Sequence, residues 1–270
     1  MSAVRIAVLG AAGKMGRANV RAIVDLADTE ARLTVAVAHA SSPALGQDSG
    51  TAAGIGPTGV VIRADLPTAG EADVWIDFSA PSASASNAEA AAVAGARLVV
   101  GTTGLPAPDR ERIADAARKV AVVFSPNVSV GVNVLLKLVA DAARALGPAY
   151  DIEIAEAHHR FKRDSPSGTA LGLAEALTEA SGRDLARTAR YERHGDIGPR
   201  TPQEIGIQTI RGGDVVGDHT VHFLGQGDRI EITHRASSRE TFAHGAVRAA
   251  LWLRDRSAGL YDMRDVLGLR

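Results

Sequence analysis

The side chains best suited to binding or catalysis lie in the segment 156–170, which reads E-A-H-H-R-F-K-R-D-S-P-S-G-T-A. Five cationic or titratable side chains fall within six positions of it: His158, His159, Arg160, Lys162 and Arg163. Ser167-Gly168-Thr169 then precedes an apolar helical pattern, and hydroxyls and free amides at a helix start bind carboxylates. The segment predicts a site for a small anion, beside groups that can exchange a proton. A solvated basic loop with an ordinary Ser or Thr cap is the alternative left open.

The adjacent His158 and His159 also raise the question of a zinc site. Neighbouring residues of a strand point to opposite faces, so these two side chains should not bind one ion. We therefore expect no metal here.

A second candidate site is the glycine-rich segment 10–16, which follows an apolar strand and precedes a helix. Gly10, Gly13 and Gly16 give the spacing G-x-x-G-x-x-G, a variant of the dinucleotide-binding fingerprint. Glycines allow a tight turn, and the helix start offers unpaired amides and a favourable dipole to a pyrophosphate. An ordinary glycine-rich strand-to-helix turn remains the alternative.

Three later strand ends carry small residues that expose backbone. They are Ser79-Ala80-Pro81, Gly101-Thr102-Thr103-Gly104 and Ser125-Pro126-Asn127-Val128. Ligands of open parallel sheets bind outside the carboxyl ends of the strands, so these segments favour a dinucleotide across that edge. Tight turns use the same residue types, which leaves each segment ambiguous by itself.

The position that normally selects between NADH and NADPH lies about 20 residues after the glycines. That window, 36–40, reads A-V-A-H-A and holds neither a carboxylate nor an arginine. Nothing in it would repel a 2′-phosphate, and His39 could donate to one. A solvated loop histidine is an equal alternative.

The elements that must position these residues alternate in the first half of the chain. Strands are predicted at 4–9, 33–38, 74–78, 98–100 and 120–124, with helices at 14–27, 81–94 and 109–119. This order predicts a parallel sheet with right-handed crossovers.

The pattern changes near residue 129. The pattern predicts a long helix (130–146), a strand (151–159) and a helix (170–180). Three strands follow, at 204–211, 215–224 and 229–235. Hairpin-type turns separate them at Gly212-Gly213 and Gly225-Gln226-Gly227. Ser237-Ser238-Arg239-Glu240 reads as a capping box opening a helix to about Leu253. We predict an α/β protein: an N-terminal Rossmann-type doubly wound parallel sheet, plus a second α+β domain with a mixed sheet.

Composition excludes several classes of protein. The 270 residues are 46% hydrophobic, and 30 basic against 31 acidic residues give a formal net charge of −1, so we expect no nucleic-acid or membrane partner. The absence of cysteine excludes disulfides and thiolate catalysis and suits a reducing compartment. The apolar start, 4–9, is too short for a signal peptide, and no run reaches the length of a membrane span. We expect a cytoplasmic protein.

The segment 156–170 resembles the signature of the dihydrodipicolinate reductase family, and the likeness covers essentially the whole chain. The glycine segment 10–16 and 101–104 also resemble that family, as do Asn127 to Asn133, His234 to Arg239 and Tyr261 to Leu267. The resemblance implies reduction of a cyclic pyridine-2,6-dicarboxylate-type imine to tetrahydrodipicolinate, with NADPH or NADH, on the diaminopimelate route to lysine.

The resemblance also implies roles for individual residues. His158 would be the general acid/base, Lys162 the proton donor and His159 a substrate contact, while Gly168 and Thr169 would hold a carboxylate. The residues implied to hold the cofactor are Gly10, Ala11, Ala12, Gly13, Lys14, Met15, Gly101, Thr102, Thr103, Ser125, Pro126, Asn127 and Val128. His39 is a candidate at the ribose from the sequence window alone. Arg239, at a helix start, either assists or is a surface charge.

The family commonly has an acidic residue, often followed by arginine, where Ala38 and His39 stand here, which puts strict NADH use in doubt. By the same resemblance, 1–128 is a dinucleotide-binding domain completed by 240–270, and 129–239 is a substrate-binding and oligomerisation domain that builds a homotetramer. Alternation at Val215, Gly217, His219, Val221 and Phe223 predicts a semi-apolar sheet face for a symmetric partner.

Two other functions are compatible with parts of this sequence. Another Rossmann-fold reductase of a small anionic substrate would fit the fold, but a thioester-forming semialdehyde enzyme needs a cysteine, and a sugar dehydrogenase does not need the basic loop. A non-catalytic dinucleotide sensor would keep the glycines and have no use for His158 and Lys162.

Overall fold

The computed structural model describes residues 2–26 and 30–270. The chain separates into two units, residues 1–130 with 239–270 and residues 131–238. Among the described residues, no helix combines the length and the apolar character needed to cross a membrane.

The first unit begins with ten elements. In chain order they are β1 (Val4–Leu9), α1 (Lys14–Val24), β2 (Ala31–Val37), α2 (Ser49–Ala53), β3 (Ile62–Arg63), β4 (Val74–Asp77), α3 (Pro81–Ala94), β5 (Arg97–Val100), α4 (Ala107–Ala117) and β6 (Ala121–Phe124). Most agree with the sequence pattern within two residues. The predicted end of the first helix, Ala27, lies outside the described residues.

The chain continues through the second unit and then returns to the first. The next elements are α5 (Val130–Leu146), a 3₁₀ turn (Gly147–Ala149), β7 (Asp151–His158), α6 (Gly168–Ser181), α7 (Leu185–Thr188), β8 (Ala189–Arg190), β9 (Ile205–Arg211), β10 (Gly217–Leu224) and β11 (Arg229–Ala236). The last three are α8 (Glu240–Leu253), β12 (Gly259–Tyr261) and α9 (Met263–Leu267).

The first unit is built on a seven-stranded sheet in the order β12-β6-β5-β4-β1-β2-β3, and every neighbouring pair is parallel. The strand order reverses direction between β1 and β4, which is where open sheets of this kind bind ligands. Alternation in β1 sends Ile6 and Val8 into one core and Ala7 and Leu9 into the core on the opposite face. The predicted doubly wound parallel sheet is confirmed.

The second unit has a mixed five-stranded sheet in the order β11-β10-β7-β9-β8. β10 pairs with β7 and β11 antiparallel, whereas β7, β9 and β8 run parallel. Its inner face packs on one side against α5 and α6, through Leu135, Val139, Leu173 and Leu177. The predicted second domain with a mixed sheet is confirmed.

One of the two predicted hairpins is wrong. β10 and β11 do form a hairpin across Gly225 to Gly227, but β9 and β10 are not neighbours, because each takes a different edge of β7. The Gly212-Gly213 segment crosses the end of β7 instead. There, Gly212 donates to the carbonyl of His158 at 3.0 Å, and His159 donates to that of Val215 at 2.8 Å.

The sheet face predicted to meet a partner is covered within the chain. His219, Val221 and Phe223 lie on the inner face and are 3%, 0% and 0% exposed, because α5 and α6 pack there. The opposite face of β10 carries Asp218 and Thr220, which are only partly buried. An alternating strand has two faces, and the sequence pattern does not say which one the chain's own helices cover.

Two helix starts also differ from the prediction. α4 begins at Ala107 after Pro106, so Pro108 lies inside the first turn, where a missing N–H is tolerated. α8 begins at Glu240 with Arg239 at the cap position and no side-chain cap. The carboxylate of Glu240 instead accepts from Arg21 of α1, at 3.0 Å from its Nε.

The burial of His219 has a measurable consequence for stability. Burial lowers the pKa of this imidazole to about 4, from 6.5 in the unfolded chain. Between those values the unfolded chain binds a proton that the folded chain does not, so the free energy of unfolding falls as the pH falls. At 1.36 kcal/mol per pKa unit, the loss at pH 5 relative to pH 7 is about 2 kcal/mol.

We therefore expect the melting temperature to fall less between pH 7 and pH 5 in His219→Gln than in the wild type. Scanning calorimetry at both pH values measures the difference, with the exposed His194→Gln as the matched control. Equal losses in the wild type and His219→Gln would contradict the assignment.

Candidate active site

The first unit contains a groove of about 480 Å³. Seven of the predicted cofactor residues line it: Met15, Gly101, Thr102, Thr103, Pro126, Asn127 and Val128. Arg239 lines it too, as do Ser79 and Pro81 of the first of the three strand-end segments. Phe78 and Phe242 also line the groove. The sequence did not predict this, because an aromatic residue in an apolar segment is normally interpreted as part of the hydrophobic core.

The segment from the turn after β1 into the first turn of α1 contains two glycines that no larger residue could replace. Gly10 has a φ of +79°, and a Cβ there would lie 2.6 Å from the carbonyl oxygen of Phe78. A Cβ on Gly16 would lie 2.0 Å from the carbonyl oxygen of Gly10. Gly13 is the cap residue of α1 and provides no side-chain hydrogen bond, so the first amides of that helix are left to another acceptor. This arrangement suits a pyrophosphate at the helix start.

The strand-end segments are ordered by their own polar groups. Ser125 is buried and donates to the carbonyl of Asn127 at 2.8 Å, while the side-chain oxygen of Asn127 accepts from the amide of Ser129 at 2.9 Å. Thr102 donates to the carbonyl of Asp77 at 3.4 Å. Ser125 and Thr102 therefore order the loops whose residues line the groove.

The two positions at the end of β2 differ in accessibility. Ala38 is only 5% exposed and packs in the core, whereas His39 is exposed, with Nδ1 at 2.8 Å from Oγ of Ser41. Of the two side chains, that of His39 is the accessible one.

In the second unit, the alternation of β7 brings the chemistry together on its inner face. Glu156 and His158 are 1% and 8% exposed, and Nδ1 of His158 lies 2.6 Å from Oε2 of Glu156. His159 follows the strand, and its Nδ1 is buried with no hydrogen-bond partner among the residues that the structure describes. Within residues 2–26 and 30–270, no group of three or more His, Asp or Glu side chains is arranged to hold a metal ion.

The loop after β7 positions the lysine. The amide of Lys162 donates to the carbonyl of His159 at 3.0 Å, which closes a turn, and its ammonium lies 2.8 Å from the carboxylate of Asp164. Lys162 is largely covered, while Asp164 is 62% exposed, so the carboxylate can leave the ammonium without disturbing the fold.

Helix α6 starts in open space. Its cap residue is Ser167, whose Oγ accepts from the amide of Ala170 at 3.1 Å and lies 3.0 Å from Nε2 of His219. Apart from its chain neighbours and the backbone of α6 itself, no atom of the described residues lies within 4 Å of the Cβ position of Gly168. The start of α6 is therefore open beside Gly168, where the prediction placed a carboxylate.

Sequence reasoning assigned no role to two residues at the centre of this cluster. Arg211, at the end of β9, donates from its two terminal nitrogens to both oxygens of Glu156, each at 2.8 Å. Burial raises the pKa of Glu156, but hydrogen bonds from Arg211, His158 and the Ser167 amide outweigh it and hold the value at about 2. Glu156 lies two residues before His158, and in a strand this spacing puts both side chains on the same face, which the sequence could have indicated. Nothing in the sequence pairs Glu156 with Arg211.

The imidazole of His158 is held uncharged near neutral pH. Burial lowers its pKa, and the opposing effect of Glu156 does not fully restore it. A neutral ring whose Nδ1–H donates to an ionised carboxylate presents Nε2 as a proton acceptor. The cluster can therefore take up and deliver a proton beside a site for an anion.

Comparison with known proteins places the chain in a family. Residues 4–128 match the family model described as "Dihydrodipicolinate reductase, N-terminus", and residues 131–267 match "Dihydrodipicolinate reductase, C-terminus". The chain is 55% identical over 267 residues to a protein of Anaeromyxobacter dehalogenans (strain 2CP-C) named 4-hydroxy-tetrahydrodipicolinate reductase, which covers 98% of each chain. It is 51% identical over 269 residues to the protein of that name from Syntrophotalea carbinolica, covering 99% of this chain and 100% of the relative.

A solved structure shares the fold. It is titled "Dipicolinate bound Dihydrodipicolinate reductase from Paenisporosarcina sp. TG-14" and matches with a TM-score of 0.75 at 22% identity, over 96% of this chain and 97% of that one. Both halves of the chain match the family models in order, and the relatives match from end to end. The chain therefore belongs to the dihydrodipicolinate reductase family.

Proposed function

We propose that this chain reduces 4-hydroxy-tetrahydrodipicolinate (dihydrodipicolinate) to tetrahydrodipicolinate with NADPH or NADH, in the diaminopimelate route to lysine. The observation that carries the proposal is the identity of more than half of the residues, over nearly the full length, with relatives named for this reaction. The clustering of Glu156, His158 and Arg211 beside an open helix start supports it independently.

The second unit supplies the proton and the substrate contacts. His158 acts as general acid/base through Nε2, and Lys162 delivers a proton once Asp164 releases it. The amides at Gly168 and Thr169 hold one carboxylate at the positive end of α6, and His159 contacts the substrate at the cationic end of the site.

The first unit holds the cofactor, and the groove residues described above fit it. The glycines at 10, 13 and 16 leave room for backbone to approach a pyrophosphate, and the first amides of α1 point at it. When bound, a reduced nicotinamide supplies a hydride. Gly10 to Met15 and the segments at 101–103 and 125–128 orient it, and His39 faces the ribose.

Neither a non-catalytic dinucleotide sensor nor a reductase that works through a thioester fits this chain. A dinucleotide sensor has no use for a buried carboxylate–histidine pair beside a helix start. The chain has no cysteine, so a reductase that works through a thioester is excluded.

We also propose that four copies assemble through the outer face of the second sheet and that the enzyme works in the cytoplasm. Ile210 of β9 and Leu224 of β10 are 58% and 36% exposed on this outer face, and exposed apolar side chains are stabilised when a partner covers them. The near-neutral charge and the absence of cysteine fit a small-molecule enzyme of a reducing compartment that has no nucleic-acid or membrane partner.

His158→Gln and Lys162→Ala should each lower kcat by about 10²–10⁴-fold, because each removes a positioned proton-transfer group. Cofactor affinity of the free enzyme, measured by fluorescence titration with NADPH, should stay nearly unchanged. His194→Gln, an exposed histidine, is the control. Wild-type kcat in both variants would refute the assignment of these roles.

Cofactor choice should follow from the missing carboxylate after β2. We expect kcat/KM with NADPH to equal or exceed that with NADH, and His39→Glu to shift the ratio towards NADH by adding a negative charge. His39→Gln, which adds no charge, should weaken NADPH without improving NADH. A wild type that prefers NADH tenfold or more would show that another group reads the ribose.

The substrate site should recognise two carboxylates. Pyridine-2,6-dicarboxylate should inhibit competitively with substrate, and pyridine-2-carboxylate should bind more weakly by roughly 10- to 150-fold, because one charged hydrogen-bonded anchor contributes about 1.5–3 kcal/mol. Thr169→Val should weaken the dicarboxylate more than the monocarboxylate, whereas Thr201→Val, at an exposed position outside the sheet, should affect neither. A ratio near one between the two inhibition constants in the wild type would exclude a two-carboxylate site.

A further inference from the structure

The carboxylate of Glu156 is surrounded by donors on both oxygens. Oε1 accepts from the Ser167 amide at 3.1 Å, from the Thr209 hydroxyl at 3.3 Å and from Nη2 of Arg211 at 2.8 Å. Oε2 accepts from Nη1 of Arg211 at 2.8 Å and faces Nδ1 of His158 at 2.6 Å. The side chain of Glu156 has no exposed surface, so it cannot touch a substrate.

This arrangement fixes the state of the histidine ring. A carboxylate that receives four other hydrogen bonds is ionised and can only accept, so the ring nitrogen facing Oε2 must carry the proton. On the basis of the proposed function, we propose that Glu156, held by Arg211, is a positioning residue. It locks His158 in the tautomer protonated on Nδ1 and presents an unprotonated Nε2 for proton transfer.

The opposite edge of the ring is kept clear by a glycine. A Cβ on Gly217, the first residue of β10, would lie 3.1 Å from Nε2 of His158 and 3.5 Å from Cδ2. Such a contact is tighter than most Cβ atoms accept. Glu156 thus holds one edge of the imidazole, while the absence of a side chain at Gly217 leaves the Nε2 edge open.

Several charged groups face this ring from the elements around it. Glu156 of β7 favours the imidazolium, whereas Lys162 of the following loop and Arg211 of β9 disfavour it. His219 of β10 meets the ring edge-on at a centroid distance of 5.1 Å. Removing only the charge of Glu156 must therefore lower the pKa of His158, whichever direction the proton takes in the reaction.

Glu156→Gln makes a sharp test because it changes the charge and the donors with almost no change in shape. The amide oxygen has its best place at the Oε1 position, where three donors meet, which turns the NH₂ group towards Nδ1 of His158. Nδ1 must then accept, and the ring changes to the tautomer protonated on Nε2. In that tautomer Nε2 of His158 carries a hydrogen and has no free lone pair, so it cannot accept a proton.

The first measurement is independent of activity. In protein labelled with ¹⁵N-histidine, the ring nitrogen shifts of His158, assigned by their loss in His158→Gln, report the tautomer. We expect the Nδ1–H form in the wild type and the Nε2–H form in Glu156→Gln. An Nε2–H form in the wild type, or no change in the variant, would overturn the proposal. The wild-type spectrum decides even if the variant fails to fold.

The second measurement separates positioning from a structural role. Glu156→Gln should lower kcat by about 10- to 100-fold, the range known for removal of the hydrogen-bond partner that orients a metal-binding histidine, with little change in KM. The ionisation of His158 in the pH profile of kcat/KM should move to lower pH. Glu156→Asp keeps the charge and should recover part of kcat.

The matched control is Glu153→Gln, on the same strand. Glu153 is also paired with two arginines, since Arg193 and Arg200 lie 2.7 and 3.1 Å from its Oε1, but it does not contact His158. This variant should keep the wild-type tautomer and pH profile, and equal shifts in both variants would indicate a general electrostatic or structural effect.

The two hypotheses can fail separately. A wild type that does not reduce the substrate would refute the proposed function and leave the tautomer result standing. If the wild type is active and Glu156→Gln has the same His158 tautomer and pH profile as the wild type, only the positioning role is refuted.

Discussion

The interaction on which the second unit's chemistry depends is the buried, ionised carboxylate of Glu156. Taking a carboxylate and a guanidinium out of water costs several kcal/mol per ion, and their attraction often does no more than offset this. The pair with Arg211 is therefore poor evidence for stability. It is better explained by what the charge orders, because it fixes the ring of His158 on one side and accepts from the cap residue of α6 on the other.

The first unit depends on a steric constraint instead of a charge. α1 can approach the end of β1 only because Gly16 has no side chain to meet the carbonyl of Gly10, and the chain can pass Phe78 only because Gly10 takes a positive φ. That close packing leaves the start of α1 capped by a glycine without side-chain hydrogen bonds. The fold thereby leaves amides available to an anion at the point where the strand order reverses.

Much of the fold could be predicted because its signals are local. Apolar runs such as Val4–Leu9 and the Gly95 stop after α3 mark their own boundaries, and alternation of strand and helix implies the parallel order. Pairings between distant segments could not be predicted. The insertion of β7 between β9 and β10, and the helices that cover His219, depend on which edge and which face of a strand the rest of the chain occupies.

The same distinction applies to the site. His158, Lys162 and Gly168-Thr169 lie within one segment, so their spacing identified them, whereas Arg211 is 55 positions from Glu156 and becomes its partner only through the parallel register of β7 and β9. In that register His158 is opposite Arg211, and Glu156 is opposite Thr209. A shift of one residue would turn Glu156 and His158 to the outer face and separate them from the start of α6. The register that builds the hydrophobic core through Ile152 and Ile154 is thus the register that assembles the candidate site, and selection for one maintains the other.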